Sequence, residues 1–124
     1  MLKLLLDENL RSNALWSAIS AQCDHYGLAD KVDIQRVGSG PAPALATPDD
    51  ALLIHCDSTD YLLVSSDTNT MPGFLAAHLA GGNSSPGVIF LRKGLSIPEI
   101  VEVLLLISYA GDAAEYSDRC TWVP

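Results

Sequence analysis

Carboxylates in three places along this chain of 124 residues are its best means of doing chemistry: Asp7 with Glu8, Asp49 with Asp50, and Asp67. Asn69 lies two residues beyond Asp67 and offers one more oxygen. Hard oxygen ligands of this kind suit Mg2+ or Mn2+, which need only a few carboxylates and keep several waters. Such an ion activates water and stabilises a leaving oxygen, so phosphodiester hydrolysis on it needs no histidine. Other catalytic sets are poorly represented. His25, His55 and His78 are far apart, and His55-Cys56 is a helical dipeptide whose side chains diverge, which argues against zinc. No Ser, His and Asp grouping resembles a nucleophile elbow, and Gly38-Ser39-Gly40 lacks the lysine and the strand-to-helix context of a phosphate loop. Structural roles compete for the same carboxylates. Asp49 and Asp50 suit the positive end of a helix dipole, and Asp67 before Thr68 and Asn69 suits the start of a turn.

The elements that must position these groups alternate between strand and helix patterns. Lys3 to Leu6 is a short apolar run closed by Asp7, Glu8 and Asn9, a buried first strand. Leu10, Ala14, Leu15, Ala18 and Ile19 recur at helical spacing, with Gly27 as the stop. Val32, Ile34 and Val37 alternate with polar residues as in a half-buried strand, and Gly38 to Thr47 reads as a mobile surface loop. In Thr47-Pro48-Asp49-Asp50, threonine is expected to cap a helix running to Ser58, with proline in its first position. A buried strand over Tyr61 to Val64, a helix around Phe74 to Leu79 and a strand over Val88 to Leu91 follow. Ser96-Ile97-Pro98-Glu99 is a capping box for a helix to about Ala110, and Cys120 to Val123 forms a final short strand. This order predicts a three-layer α/β/α sandwich with a mainly parallel sheet. In such a sheet ligands sit outside the carboxyl ends of the strands, where Asp7, Asp49 and Asp67 are expected to meet.

Composition narrows the function classes. Apolar residues make up 48% of the chain, enough for a real core and too many for disorder. The length fits one domain over residues 1–124. No apolar run approaches a membrane span, and Leu4 to Leu6 is too short for a leader's apolar core, so a cytoplasmic protein is expected. Three scattered cysteines suit a reducing compartment. A net charge of -8 argues against nucleic-acid binding by a broad basic surface, but not against an enzyme whose acidic cluster is neutralised by cations. The helix from Ile97 to Ala110 has almost no polar face, so a partner, a second copy or another protein, is expected to cover it.

Four blocks, in order, resemble a PIN-like family of small prokaryotic proteins regarded as the nuclease half of toxin–antitoxin pairs. Leu5-Leu6-Asp7-Glu8-Asn9-Leu10 resembles the family's opening motif. Thr47-Pro48-Asp49-Asp50-Ala51-Leu52-Leu53 is similar to its second block, and Leu62-Leu63-Val64-Ser65-Ser66-Asp67 to a third in which a strand runs into Thr-Arg-Asp. Pro86-Gly87-Val88-Ile89-Phe90-Leu91-Arg92 resembles the fourth, a strand ending in arginine. The resemblance implies a PIN-like fold and a ribonuclease in which Asp7, Asp49 and Asp67 bind Mg2+ or Mn2+ for RNA cleavage, with an antitoxin as partner. It makes Glu8 and Asn9 supporting groups. Outside what the resemblance implies, the residues themselves add Asp50 as a further supporting group and Asn69 as a further metal ligand. They also add Arg11 as a group for the substrate phosphate, against its plain reading as a solvated helix-surface arginine. Arg92, at the family's strand-end arginine position, is a second group for that phosphate.

The chain departs from the pattern in three places. Ser66 replaces the third block's basic residue, Asn69 stands where a second acid is usual, and Arg11 where proline often follows the opening motif. Those losses favour, as an alternative, a catalytically impaired interaction module on the same fold. Asp60 to Asp67 also resembles the phosphoacceptor strand of receiver domains, with Asp7-Glu8 as the acidic pair, but the next strand ends in Arg92 rather than a hydroxyl.

Overall fold

The computed structural model describes residues 1–123. Five strands, β1 (Lys3–Leu6), β2 (Ile34–Arg36), β3 (Tyr61–Ser65), β4 (Val88–Leu91) and β5 (Cys120–Val123), form one sheet in the order β2-β1-β3-β4-β5, every neighbouring pair parallel. The crossovers are α1 (Asn13–His25), α2 (Asp49–Thr59), α3 (Met71–Ala80) and α4 (Ile97–Ala110), with a short α5 (Ala113–Tyr116) before β5. Strands buried on both faces read as apolar runs, as in Leu4–Leu6 of β1, Tyr61–Val64 of β3 and all of β4.

The alternation of side chains along each strand divides the core in two. Leu4, Leu6, Leu62 and Val64 pack with Leu15 and Ile19 of α1 and Leu104 and Leu105 of α4. Leu5, Leu63, Val88 and Phe90 pack with Leu52 and Leu53 of α2 and Leu75 of α3. Two helical layers therefore enclose the sheet, a three-layer α/β sandwich. The same alternation continues past the strand ends, so Asp7 follows the parity of Leu5 and Ser65 that of Leu63. Both point toward the α2 and α3 layer.

Several local expectations change. Thr47 donates its hydroxyl to the Ala44 carbonyl at 2.6 Å instead of capping α2; Pro48 is the cap residue and Asp49 opens the helix. β2 shrinks to Ile34–Arg36, and α3 begins at Met71, three residues before the expected start. The segment over residues 38–47 is pinned rather than loose: the Gly38 amide donates to Pro43, Ala42 to Ser39, and Ala46 to the Glu8 carboxylate. The short α5 has its own capping box between Asp112 and Glu115. It presses against Gly87, whose φ of +124° and 2.1 Å clearance from the Tyr116 carbonyl to a would-be Cβ admit no side chain. The sheet and α1 cover more of α4 than its composition suggests. Val101, Leu104, Leu105, Ile107 and Ser108 are buried, and Leu106 and Tyr109 remain 66% and 60% exposed. No helix of the described residues is long and apolar enough to cross a membrane.

Candidate functional site

β1 turns outward to β2 on one side while β3 is added on the other, so the chain's direction of growth reverses between β1 and β3. Crevices at such switch points are where parallel sheets bind ligands. The opening motif lies there. Asp7 leaves β1 in extended conformation and caps the 3-10 turn Glu8–Leu10, its Oδ1 accepting the Glu8 amide at 2.7 Å. Its Oδ2 accepts the Ser65 hydroxyl at 3.0 Å. Ser65 closes β3, is fully buried, and its Oγ in turn accepts the Asp67 amide at 3.0 Å. Asn9 braces the same junction, donating to Ser65 Oγ at 3.3 Å and accepting the Ser66 amide at 3.2 Å.

Asp67 takes the Asn69 amide on Oδ1 at 3.0 Å and the Thr70 hydroxyl on Oδ2 at 3.2 Å. The same hydroxyl lies 3.3 Å from Oδ2 of Asp49, the first residue of α2. Thr70 has one hydroxyl hydrogen and two carboxylates facing it, so at any instant one of them meets a lone pair instead of a donor. Asp7, Asp49 and Asp67 are thus joined through two hydroxyls, Ser65 between Asp7 and the Asp67 backbone and Thr70 between Asp67 and Asp49.

Electrostatics follow from this crowding. Burial pushes the Asp7 carboxyl above its ordinary range; the amide and hydroxyl donors pull it back, and the charges of Asp49 and Glu8 push it further up. Burial, with the Asp7 charge adding to it, pushes the Cys56 thiol of α2 up to about 12, so that thiol is inert filling below the carboxylates.

The remaining predicted residues divide. Glu8 accepts the Ala46 amide and anchors the segment after β2. Asp50 accepts the Ala51 amide at 2.9 Å, a local helix-start contact on an exposed side chain. Asn69 is exposed and reaches Asp67 through its backbone amide. Arg92 is exposed at the end of β4, and among the described residues no hydrogen bond or ion pair joins it to the carboxylates. Arg11 closes the 3-10 turn and donates to Ser39 Oγ at 3.3 Å. Sequence reading passed over Ser65 and Thr70. A serine ending an otherwise apolar buried strand was the available sign for the first; nothing local marks the second.

Among the described residues, no three His, Cys, Asp or Glu side chains form a ready-made metal cage. The donor chemistry nonetheless fits a hard cation that keeps its waters: three carboxylates at one switch point, two sharing a single hydrogen and one buried beside a like charge. Comparison with family models, curated proteins and solved structures returns no match.

Proposed function

We propose that this chain is a ribonuclease of the PIN-like toxin type, dependent on Mg2+ or Mn2+ and hydrolysing RNA phosphodiester bonds. The observation that carries the reading is the Thr70 hydroxyl shared by Asp49 and Asp67, with buried Asp7 one serine away. Asp7, Asp49 and Asp67 would hold the ion. When bound, a divalent cation lowers the pKa of a coordinated water and offsets charge on the leaving oxygen. The chain's own contribution is orientation. Ser65 fixes Asp7, the Asn69 amide fixes one oxygen of Asp67, and the start of α2 aims Asp49 at the same crevice. In this reading the protein is cytoplasmic, and its partner is an antitoxin protein. The exposed Leu106 and Tyr109 of α4, with Tyr26 across the same groove, are where that partner or a second copy of the chain docks. A sedimentation run giving only monomer at high micromolar concentration removes the homodimer.

Melting curves with and without manganese, paired with an RNA cleavage assay, test the site. Manganese is expected to raise the melting temperature of the wild type by mass action on the folded state. Asp67→Asn gains less from the metal, is no less stable without it, and loses cleavage. Equal metal shifts in both proteins, or cleavage unaffected by chelator, defeat the assignment.

The strand order supports a second reading, a receiver-like phosphoacceptor with Asp67 as acceptor, because receiver domains use this doubly wound order too. Against it, β4 ends in Leu91 and Arg92 with no hydroxyl, and Asp67 lies two residues beyond β3. Acetyl-phosphate labelling of Asp67 would establish it. A chain that neither cleaves RNA nor labels is the interaction module.

A further inference from the structure

Four of the seven Lys and Arg residues lie at or beyond the carboxyl ends of strands: Arg11, Arg36, Arg92 and Lys93. Two of them converge. Arg11 Nη2 donates to Ser39 Oγ at 3.3 Å and Arg36 Nε donates to the same oxygen at 3.1 Å. Neither guanidinium has an acidic partner; the one ion pair among the described residues joins His78 and Asp57. In a chain with 15 acidic side chains, two cations brought together on one neutral hydroxyl are an unusual arrangement. Their mutual repulsion opposes it, and Arg11 Nε is closed off from solvent with no acceptor, an uncompensated donor.

The surrounding residues hold this pair rather than merely tolerate it. The Arg36 guanidinium lies 4.7 Å from the Trp16 ring centroid, and its Nη1 is 3.4 Å from Asn13 Oδ1, which fixes the plane of its fork. Gly38 has φ +86°, and a Cβ there would fall 2.6 Å from Leu45 and 3.3 Å from Arg11 Nε, so the segment closes over Arg11 only because residue 38 is glycine. Glu8 ties the far end of that segment to the opening motif through the Ala46 amide. Ser39, receiving both arginines on Oγ, keeps its own hydrogen to donate outward. Two fixed guanidinium forks and one hydroxyl donor match a tetrahedral oxyanion, whose charge would also relieve the repulsion.

We propose that Arg11, Arg36 and Ser39 form a phosphate-binding site at the carboxyl end of β1 and β2, beside the carboxylate crevice but independent of any metal. The phosphate belongs either to the backbone of a single-stranded RNA or to a free nucleotide. With a net charge of -8, the rest of the surface repels a polyanion, so local cations of this kind must supply the attraction.

The test is binding in EDTA, which separates it from hydrolysis. Wild-type protein is titrated calorimetrically with inorganic phosphate, a nucleoside 5′-monophosphate and a short single-stranded RNA, and Trp16 emission is followed in parallel. Saturable binding is expected, weakened about tenfold by Arg11→Gln or Arg36→Gln, the loss of one charge-assisted contact. Arg36→Lys keeps the charge but loses the fork and should also weaken it. Arg119→Gln removes a charge just before β5, at the opposite end of the sheet, and leaves it intact. RNA binding that falls steeply with salt, without response to the two small ligands, assigns the backbone as source; the converse assigns the free nucleotide. Should Arg11→Gln unfold the chain, Ser39→Ala and Arg36→Gln still decide. No binding of any of the three ligands, or Arg36→Gln and Ser39→Ala both binding as wild type, overturns the proposal. Phosphate binding with no RNA cleavage would leave this site standing and remove the ribonuclease reading alone.

Discussion

The two ends of the sheet are both rich in aspartate, and they treat it differently. At the amino end, Asp118 and Asp57 each have a donor of their own. Asp118 Oδ1 accepts the Ser85 amide at 2.8 Å, while Asp57 accepts the Ser84 hydroxyl at 3.0 Å and faces His78 at 3.8 Å. Those contacts tie the segment before β4 to α2 and to the turn before β5, and their work is structural. At the carboxyl end, Asp49 and Asp67 share one hydrogen, and Asp7 is buried within reach of the charges of Asp49 and Glu8. Acidic residues are equally at home at either end; donors are not equally supplied. Where a carboxylate has a donor to itself it holds the fold; the single Thr70 hydrogen that Asp49 shares with Asp67 is what supports the proposed cation site.

The largest expected effect that sharpens this contrast is at Asp7. Asp7→Asn should lower metal-dependent RNA cleavage by about 100-fold or more, the scale of losing an activating group. It should also raise the melting temperature at neutral pH in chelator. The sign follows from linkage. The folded-state pKa of Asp7 lies above its unfolded value of 3.8, so the folded chain holds the proton more tightly. Its stabilising contribution is complete below 3.8 and is lost as pH rises through the folded value. Melting temperature against pH should therefore fall over that window in the wild type and flatten in Asp7→Asn; parallel profiles would break the assignment.

Ser65→Ala comes next. It strips a buried hydroxyl from Asp7, from the Asp67 amide and from Asn9, and should cost about 1–3 kcal/mol in urea unfolding. Asn9→Ala removes the brace between the opening motif and Ser66 at an exposed position, with an expected loss of about 0.5–1.5 kcal/mol by the same measurement. The smallest effect is Asp118→Asn, the same chemical change as Asp67→Asn made at the other end. Asparagine tolerates the left-handed φ of +59° and keeps an oxygen for the Ser85 amide, so stability should move by less than about 0.5 kcal/mol. The manganese shift should equal that of the wild type. A reduced shift in Asp118→Asn would show that metal binding reports overall charge and not the crevice.

Much of the site was legible as position and little of it as contact. Asp7 closing an apolar run and Asp67 following another mark strand ends, because burial of both sheet faces leaves a continuous apolar signature that a charge must terminate. The capping box Ser96–Glu99 was readable because it is a contact between residues three apart. Thr47 misled: its place before Pro48 matches a capping pattern, yet the tethered segment turns its hydroxyl to Ala44. The composition of α4 did not show which of its apolar residues the fold itself covers, since burial depends on which face meets the sheet and α1.

The amino-acid sequence alone determined the order of the five strands and the four longer helices, the α/β class and the carboxylates at the strand ends, but not the short α5. These rest on periodicity and end signals that act over a few residues. Only the tertiary structure decided that β1 sits between β2 and β3, which creates the switch point beneath Asp7. It also decided that Thr70 stands between Asp49 and Asp67, and that Arg11 and Arg36 meet on Ser39. These pairings join residues from 3 to 28 positions apart, and the Asp7–Ser65 bond spans 58. Parallel pairing imposes them by burying both sheet faces at once, and no local pattern of residues encodes which strand lies next to which.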